Sequence, residues 1–430
     1  MTAFKKEMAV PVKASGKSNV QRVVSAGGIE AWLVEEYAVP LIAVEFAFQT
    51  GGVADVAAKA GATNLLADLL SEGAGAYDSV AFHQRLDDLA IELSFSGRLE
   101  SFAGSLRTLA RNRDAAFEML RLALNEPHFA PDALKRVQAQ AIAGLKHEQK
   151  DPGPVSGKTW FSTAFGSHGY ARPVDGTLKT VPKISRDDIV ARAADVFRRD
   201  NVKIAVVGAI DAVTLATWLD QIFGAFPVKS AAPKPVPVSF LSLGETKVVD
   251  LDVPQCTIRF GSPGLKRDDP DFIAASVGNH ILGGGSFTSR LWQEVREKRG
   301  LAYSVQSWLQ PLRQFGLFMA YTATGNERAQ ESISIIKDEV ARFAAEGPTD
   351  EELHKAKRFL TGSYALRFDT SSKIAGELLA IQLFGQPIDF PIRYPGIVSK
   401  LSLADVKRAS SRLLGEGKLL TVIAGRPAAG

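Results

Sequence analysis

The residues best equipped for chemistry lie between Gly283 and Tyr303. Gly283-Gly284-Gly285 leads into Ser286-Phe287-Thr288-Ser289-Arg290-Leu291-Trp292-Gln293-Glu294-Val295-Arg296, and Tyr303 follows seven residues after Arg296. An arginine guanidinium is a fixed fork of donors and a tyrosine hydroxyl a single one; both suit a substrate carbonyl or a developing oxyanion. Three glycines ahead of a helix allow positive φ and a close backbone approach to a ligand. The rest of the chain excludes several chemistries. His83, His128, His147, His168, His280 and His354 show no short metal-type spacing. Cys256 is the only cysteine, so no internal disulfide and no cysteine metal site can form. No Gly-x-Ser-x-Gly elbow accompanies any set of Ser, His and Asp. The Walker pattern is missing, so the glycine triplet does not read as a nucleotide loop.

The stretch 283–303 resembles the C-terminal half of the M16 family of zinc peptidases (pitrilysin, insulinase, mitochondrial processing peptidase), and the resemblance extends along the chain from about residue 20. It implies an α+β protein of two homologous α/β sandwich domains, the LuxS/MPP-like metallohydrolase fold, folded toward each other like a shell. Each domain is expected to be a mainly antiparallel sheet with helices packed on one face. In the family the first domain carries His-x-x-Glu-His on a helix: two histidines at i and i+4 bind zinc, and the glutamate polarises its water. The matching stretch here is Gly61-Ala62-Thr63-Asn64-Leu65-Leu66-Ala67-Asp68-Leu69-Leu70-Ser71-Glu72-Gly73. Asn64 and Asp68 then stand at the histidine positions and Ala67 at the base. A further glutamate should come from a later helix, but Ala133 to His147 holds no carboxylate; Asp132 and Glu148 only flank it. Asn64 and Asp68 share a helix face, yet an amide is a poor zinc ligand. They are expected to form a polar face, with Leu65, Leu66, Leu69 and Leu70 anchoring the other side.

The resemblance matches Arg296 and Tyr303 to a pair that reaches from the second domain into an active site, often in another polypeptide. Gly283, Gly284 and Gly285 correspond to the glycine-rich loop of the non-catalytic α chain of mitochondrial processing peptidase, which helps admit substrate. His168 and Tyr170, in Ser-His-Gly-Tyr-Ala-Arg-Pro-Val-Asp-Gly-Thr, are expected to support a loop. The function implied is that of a non-catalytic subunit in a heterodimeric zinc peptidase. No cofactor is expected in this chain; zinc is expected in a sister subunit bearing His-x-x-Glu-His. The substrate would be an extended peptide bound along a sheet edge, and a homodimer is open to the chain alone. The alternative is a structural or peptide-binding protein with no role in hydrolysis. An autonomous peptidase with an unusual metal is the weakest reading.

The elements that must position these residues form a repeat. The chain has 430 residues, which suits two domains of roughly 200 residues each. Hydrophobic residues make up 46% and charged ones 23%, a globular composition. The net charge of +4 is dispersed, unlike the basic face of a nucleic-acid binder. No apolar run approaches the ~20 residues of a membrane helix. Met1 to Ser18 lacks the apolar core of a signal peptide, which points to the cytoplasm, or to the periplasm if a leader was removed. A proline-rich stretch at 228–238 reads as a linker between domains at 19–227 and 239–426. Val39-Pro40 leads into a strand at 41–48, and Val253-Pro254 into one at 256–260. Helices are expected near 60–71 and 271–282, then at 113–124 and 133–146 and at 329–345 and 349–367. Each half ends in a helix with an acidic first turn (187–197, 404–414), then a strand stopped by Gly208 or Gly425. The two sets lie about 215 residues apart, the mark of a duplication.

Overall fold

A computed structural model describes residues 20–229 and 237–428. Most of the expected linker 228–238, residue 19 and the N-terminal segment read for a signal peptide lie outside them. The first half runs β1 (Gln21–Val24), β2 (Glu30–Glu35), β3 (Leu41–Phe48), α1 (Ala62–Leu69), the short hairpin β4 (Gly73–Ala74) and β5 (Tyr77–Asp78), α2 (Ser79–Asp88), β6 (Glu92–Gly97) and β7 (Phe102–Leu109). It continues with α3 (Arg113–Asn125), α4 (Pro131–Glu148), α5 (Pro152–Phe165), α6 (Arg186–Val196), β8 (Val202–Gly208) and α7 (Ala212–Phe223). The second half runs β9 (Thr246–Val249), β10 (Gln255–Gly264), α8 (Phe272–Asn279), α9 (Arg290–Trp292), β11 (Ala302–Pro311) and β12 (Gly316–Gly325). Then come α10 (Ala329–Glu346), α11 (Asp350–Gly362), α12 (Ser371–Leu383), α13 (Phe390–Lys400), α14 (Leu403–Leu414) and β13 (Leu420–Ala424). The helix expected over 349–367 is shorter: α11 stops at Gly362 and a 3₁₀ turn, Tyr364–Phe368, follows. The helix expected from Ala133 to His147 is longer, and its ends take in Asp132 and Glu148.

The two sheets repeat one plan. Their strand orders are β1-β2-β8-β3-β7-β6 and β11-β12-β10-β13-β9. Read from opposite ends, the second matches β2-β8-β3-β7-β6 of the first. The mainly antiparallel sheets expected are in fact mixed: β2 pairs parallel with β8, and β13 parallel with β9. Those partners lie at the two ends of each half, so the rest of that half, strands and helices together, separates them and gives ample chain for the long connection that parallel pairing requires. The helix before the last strand is capped alike in both halves. Ser185 and Asp188 form a capping box at α6, and Ser402 and Asp405 form one at α14. Gly208 and Gly425 both take positive φ, 143° and 145°, a conformation that favours glycine.

Side-chain alternation sorts each strand between two cores. Val44, Phe46 and Phe48 of β3 face the first half's own helices, as do Ile204 and Val206. Ala43, Ala47, Ala205 and Val207 face the other way, where Ala375, Leu378 and Leu379 of α12 cover them. Conversely, Trp160, Ala164 and Phe165 of α5 pack on Leu317, Met319, Leu420 and Val422 of the second sheet. So helices do not cover one face only: each half lends a helix to the bare face of the other's sheet. Trp160 Nε1 donates to Leu420 O at 3.1 Å, and Gln382 Nε2 to Ile204 O at 2.9 Å. A Cβ on Gly261 would lie 2.4 Å from the Trp160 ring, so that glycine lets α5 seat. Glu100 adds a polar tie: it accepts from the Tyr170 hydroxyl and, at 3.0 Å, from Arg313 N at the β11–β12 turn.

Candidate functional site

Helix α1 is pegged at its start by Asp55. Its carboxylate accepts from Gly61 N at 3.1 Å, from Thr63 N at 3.2 Å and from the Thr63 hydroxyl. Arg192 of α6 lies 3.1 Å from it, and both side chains are buried. Leu65, Leu66, Leu69 and Leu70 are buried on one side, as is Ala67. Asn64 is half-buried and Asp68 exposed. The helix presses on β6 at Gly97, where a Cβ would come within 2.9 Å of Asn64. Glu72 is engaged by Arg136 and by the Ser79 hydroxyl. Surrounding protein, then Asp175 and Glu72, push the Asp68 carboxyl up to about 6. Water still reaches Asp68, so the shift counts little toward stability. Among the described residues no three His, Cys, Asp or Glu side chains gather as a metal-holding group.

The second group stands on the other half. Leu291 and Val295 are fully buried and hold α9 and the π-helical turn Gln293–Glu297 to the core. Arg290 fastens them further, through Glu352 at 2.7 Å and Glu339 at 3.4 Å. Arg296 lies between two rings: its Cζ is 4.2 Å from the Trp292 centroid and 4.7 Å from that of Tyr303. The nearby carboxylates are already occupied. Glu294 pairs with Lys298 and Arg299, and Glu297 accepts from Trp292 Nε1 at 3.0 Å. Stacking between aromatic faces fixes the guanidinium plane and leaves its edge donors unused. Tyr303 is 82% exposed. It sits at a register shift between Ala302 and Ser304 on β11, which forms one edge of its sheet. Bulges at sheet edges re-aim side chains, and an open edge is a template for an added strand.

The glycines behave differently from the sequence expectation. None of Gly283, Gly284 and Gly285 has positive φ; Ser286, at 49°, does. His280–Gly284 forms a π-helical turn, and the need for glycine is steric. A Cβ on Gly283 would lie 2.4 Å from Ser307 Oγ and 2.8 Å from Leu291 Cδ1. Ser307 is held there by Asn279, to which its hydroxyl donates at 2.7 Å. Gly283→Ala is therefore expected to destabilise the protein by roughly 1–3 kcal/mol, the usual effect of overpacking. Denaturant melts check this; an unchanged midpoint would assign the glycine to substrate alone.

His168 and Tyr170 support a loop as expected: Tyr170 N donates to His168 Nδ1 at 3.1 Å. The structure thus brings Arg296 and Tyr303 together and sets Asn64, Ala67 and Asp68 on α1. Among the described residues no hydrogen bond, ion pair or ring contact joins the two groups.

Two ionisable groups were not singled out from the sequence. Glu45 of β3 and Arg259 of β10 occupy matching places in the repeat, each between residues of the helix-side core, Val44 and Phe46 or Ile258 and Phe260. A charge inside an apolar strand was the readable signal. Burial pushes the Glu45 carboxyl up to about 7, against the pull of Arg98. A carboxyl so raised holds its proton better folded than unfolded. Its contribution to stability is full below about pH 4.5 and is lost as the pH rises through about 7. Glu45→Gln is expected to add on the order of 2 kcal/mol at pH 8 and nothing at pH 4. Equal effects at the two pH values would show that the shift is absent.

Comparison with known proteins places this geometry. Residues 183–360 match the family described as the peptidase M16 inactive domain. A crystal structure of a peptidase M16 inactive domain from Pseudomonas fluorescens is similar with a TM-score of 0.89 and 30% identity, covering 96% of this chain and 98% of that one. The chain belongs to the peptidase M16 family. It is 28% identical over 375 residues to the non-peptidase homolog YmxG of Helicobacter pylori, covering 86% of each chain. It is also 26% identical over 370 residues to an uncharacterized zinc protease of Streptomyces coelicolor, covering 84% of this chain and 80% of that one. Zinc takes His, Cys and carboxylate ligands. Asn64, one carboxylate at Asp68 and Ala67 at the base position do not fit it.

Proposed function

We propose that this chain is the non-catalytic subunit of a heterodimeric M16 zinc peptidase. A sister subunit carries His-x-x-Glu-His and zinc, which supplies the activated water. This chain closes the peptide chamber and offers Arg296 and Tyr303 to the sister's site. The Tyr303 hydroxyl donates to the oxyanion that develops on the scissile carbonyl. The Arg296 guanidinium donates to a backbone carbonyl of the peptide, which lies extended near the edge strand β11. Gly283, Gly284 and Gly285 hold the turn behind β11, so their part in admitting substrate is to keep that edge in place.

The observation that carries this reading is the Arg296–Tyr303 pair itself. The two are stacked, Tyr303 exposed and Arg296 half-buried, with no carboxylate on the guanidinium among the described residues. A second reading, a peptide-binding or structural protein without a role in hydrolysis, draws on the non-peptidase relative in Helicobacter pylori. The isolated chain is expected to hold no stoichiometric zinc and to cleave no peptide, and to support cleavage once mixed with the sister subunit. Metal analysis and a fluorogenic peptide assay test this. One zinc per isolated chain, lost to chelator together with activity, would overturn it.

A further inference from the structure

A cavity of about 580 Å³ lies where the two halves meet, and neither Arg296 nor Tyr303 lines it. The first half contributes the start of α5, with Gly157 and Phe161, and the segment Ala171–Asp175; the second contributes Arg259 and Gln310. This volume falls in the range of small-ligand sites. Arg259 points away from the helix-side core, toward α5: a Cβ on Gly157 would be 3.5 Å from its Nε. Its Cζ lies 5.9 Å from the Trp308 ring and 6.0 Å from the Tyr321 ring. Its Nε is buried and has no hydrogen-bond partner, and no carboxylate among the described residues pairs with it. The Nε of Arg172, in the same wall, is likewise buried and unpartnered. The other two nitrogens of Arg172 are spent on the carbonyls of Asp55 and Val53. Burying donors and a charge without partners is costly, so this wall is built to receive an acceptor.

The remaining charges say which acceptor. Lys158 is neutralised by Glu148, and Asp175 adds a negative charge to the rim. Those carboxylates disfavour a dianion such as phosphate and leave room for one negative charge on Arg259. The walls beside it are apolar, from Leu99, Phe161 and Val174. We propose that this cavity takes the C-terminal carboxylate of a peptide on Arg259, with an apolar last side chain against Phe161, Leu99 and Val174. The inference deepens the peptide-binding part of the proposed function, but it needs neither a sister subunit nor hydrolysis.

Fluorescence anisotropy with the full chain tests it. The probe is an N-terminally labelled heptapeptide ending in leucine, either as the free acid or as the C-terminal amide. The free acid is expected to bind at least ~10-fold tighter than the amide, the effect of one charge-assisted pair. Arg259→Gln should abolish that preference, and Arg259→Lys should keep part of it. Gly157→Leu, which fills the cavity beside the guanidinium and leaves the charge in place, should weaken both peptides. Unchanged melting confirms that the variants fold; should Arg259→Gln not fold, the acid–amide comparison and Gly157→Leu carry the test. Equal binding of acid and amide to the wild-type chain, or no binding, would overturn the proposal. Displacement by inorganic phosphate or by octanoate more readily than by unlabelled peptide would overturn it too, and would give the cavity to a free anion or a fatty acid. These results are separable from the catalytic pairing: a lost acid preference with Tyr303→Phe still slow in the heterodimer would remove this inference alone.

Discussion

Tyr303→Phe is expected to slow the reconstituted heterodimer by roughly two orders of magnitude, the effect of deleting one oxyanion donor at ~2.7–4 kcal/mol. Assembly and the sister's zinc content should not change. Tyr303 is 82% exposed, and the Arg296 guanidinium is stacked on its ring face. Losing the hydroxyl therefore breaks no contact among the described residues. Arg296→Ala should act differently, because the guanidinium meets a carbonyl already present in the ground state. KM should rise as well as kcat fall. The alanine also unstacks Trp292 and Tyr303, so Arg296→Lys is the cleaner partner variant: it keeps the charge and loses the planar fork. Turnover of a fluorogenic peptide and gel filtration of the complex give both answers. Wild-type rates from Tyr303→Phe in an intact heterodimer would make the pair a relic and leave the structural reading standing.

Much of this fold was legible because the duplication repeats its punctuation. Ser185 and Ser402 announce the same helix twice, and Gly208 and Gly425 stop the same strand twice. Anchoring on the strand before α1 and on the Glu72-Gly73 that ends the stretch put Asn64, Ala67 and Asp68 on that helix, where Asn64 and Asp68 stand apart from the buried leucines and Ala67 lies among them. The exchange of α5 and α12 was not legible. An amphipathic pattern says that a helix buries a face, not which sheet receives it. Trp160 meets Leu420 across the whole length of the repeat. The parallel pairs were hidden for a related reason: strand periodicity does not reveal partner direction. The glycine triplet misled because close packing and positive φ select the same residue. Arg259 could have been found by laying β10 over β3, where it stands opposite Glu45.

Asp55→Ala is expected to lower stability by about 3–5 kcal/mol, a loss typical of removing one partner of a buried ion pair. The side chains of Asp55 and Arg192 are 1% and 7% exposed. Burial works against both charges, raising the Asp55 carboxyl and lowering the Arg192 guanidinium. Arg192 offsets this for Asp55, helped by Thr63 and Gly61. Arg192 itself also donates to the Thr63 hydroxyl at 2.8 Å and to Gly51 O at 2.9 Å. Alanine at 55 leaves that guanidinium charged and without its carboxylate, and it orphans the N–H groups that start α1. The network holds the start of α1, the helix whose sequence matches the position of the family's zinc motif and which here lacks the ligands. If its task is to hold the wall of the peptide chamber, the damage should be to folding and not to chemistry. Replacing both partners, Asp55→Ala with Arg192→Met, should recover part of the loss, because no buried charge then remains. Urea melts of the two single variants and the double variant form the cycle that measures the coupling. Single losses under 1 kcal/mol, or a double variant equal to the sum of the singles, would mean that the pair contributes nothing beyond its separate contacts.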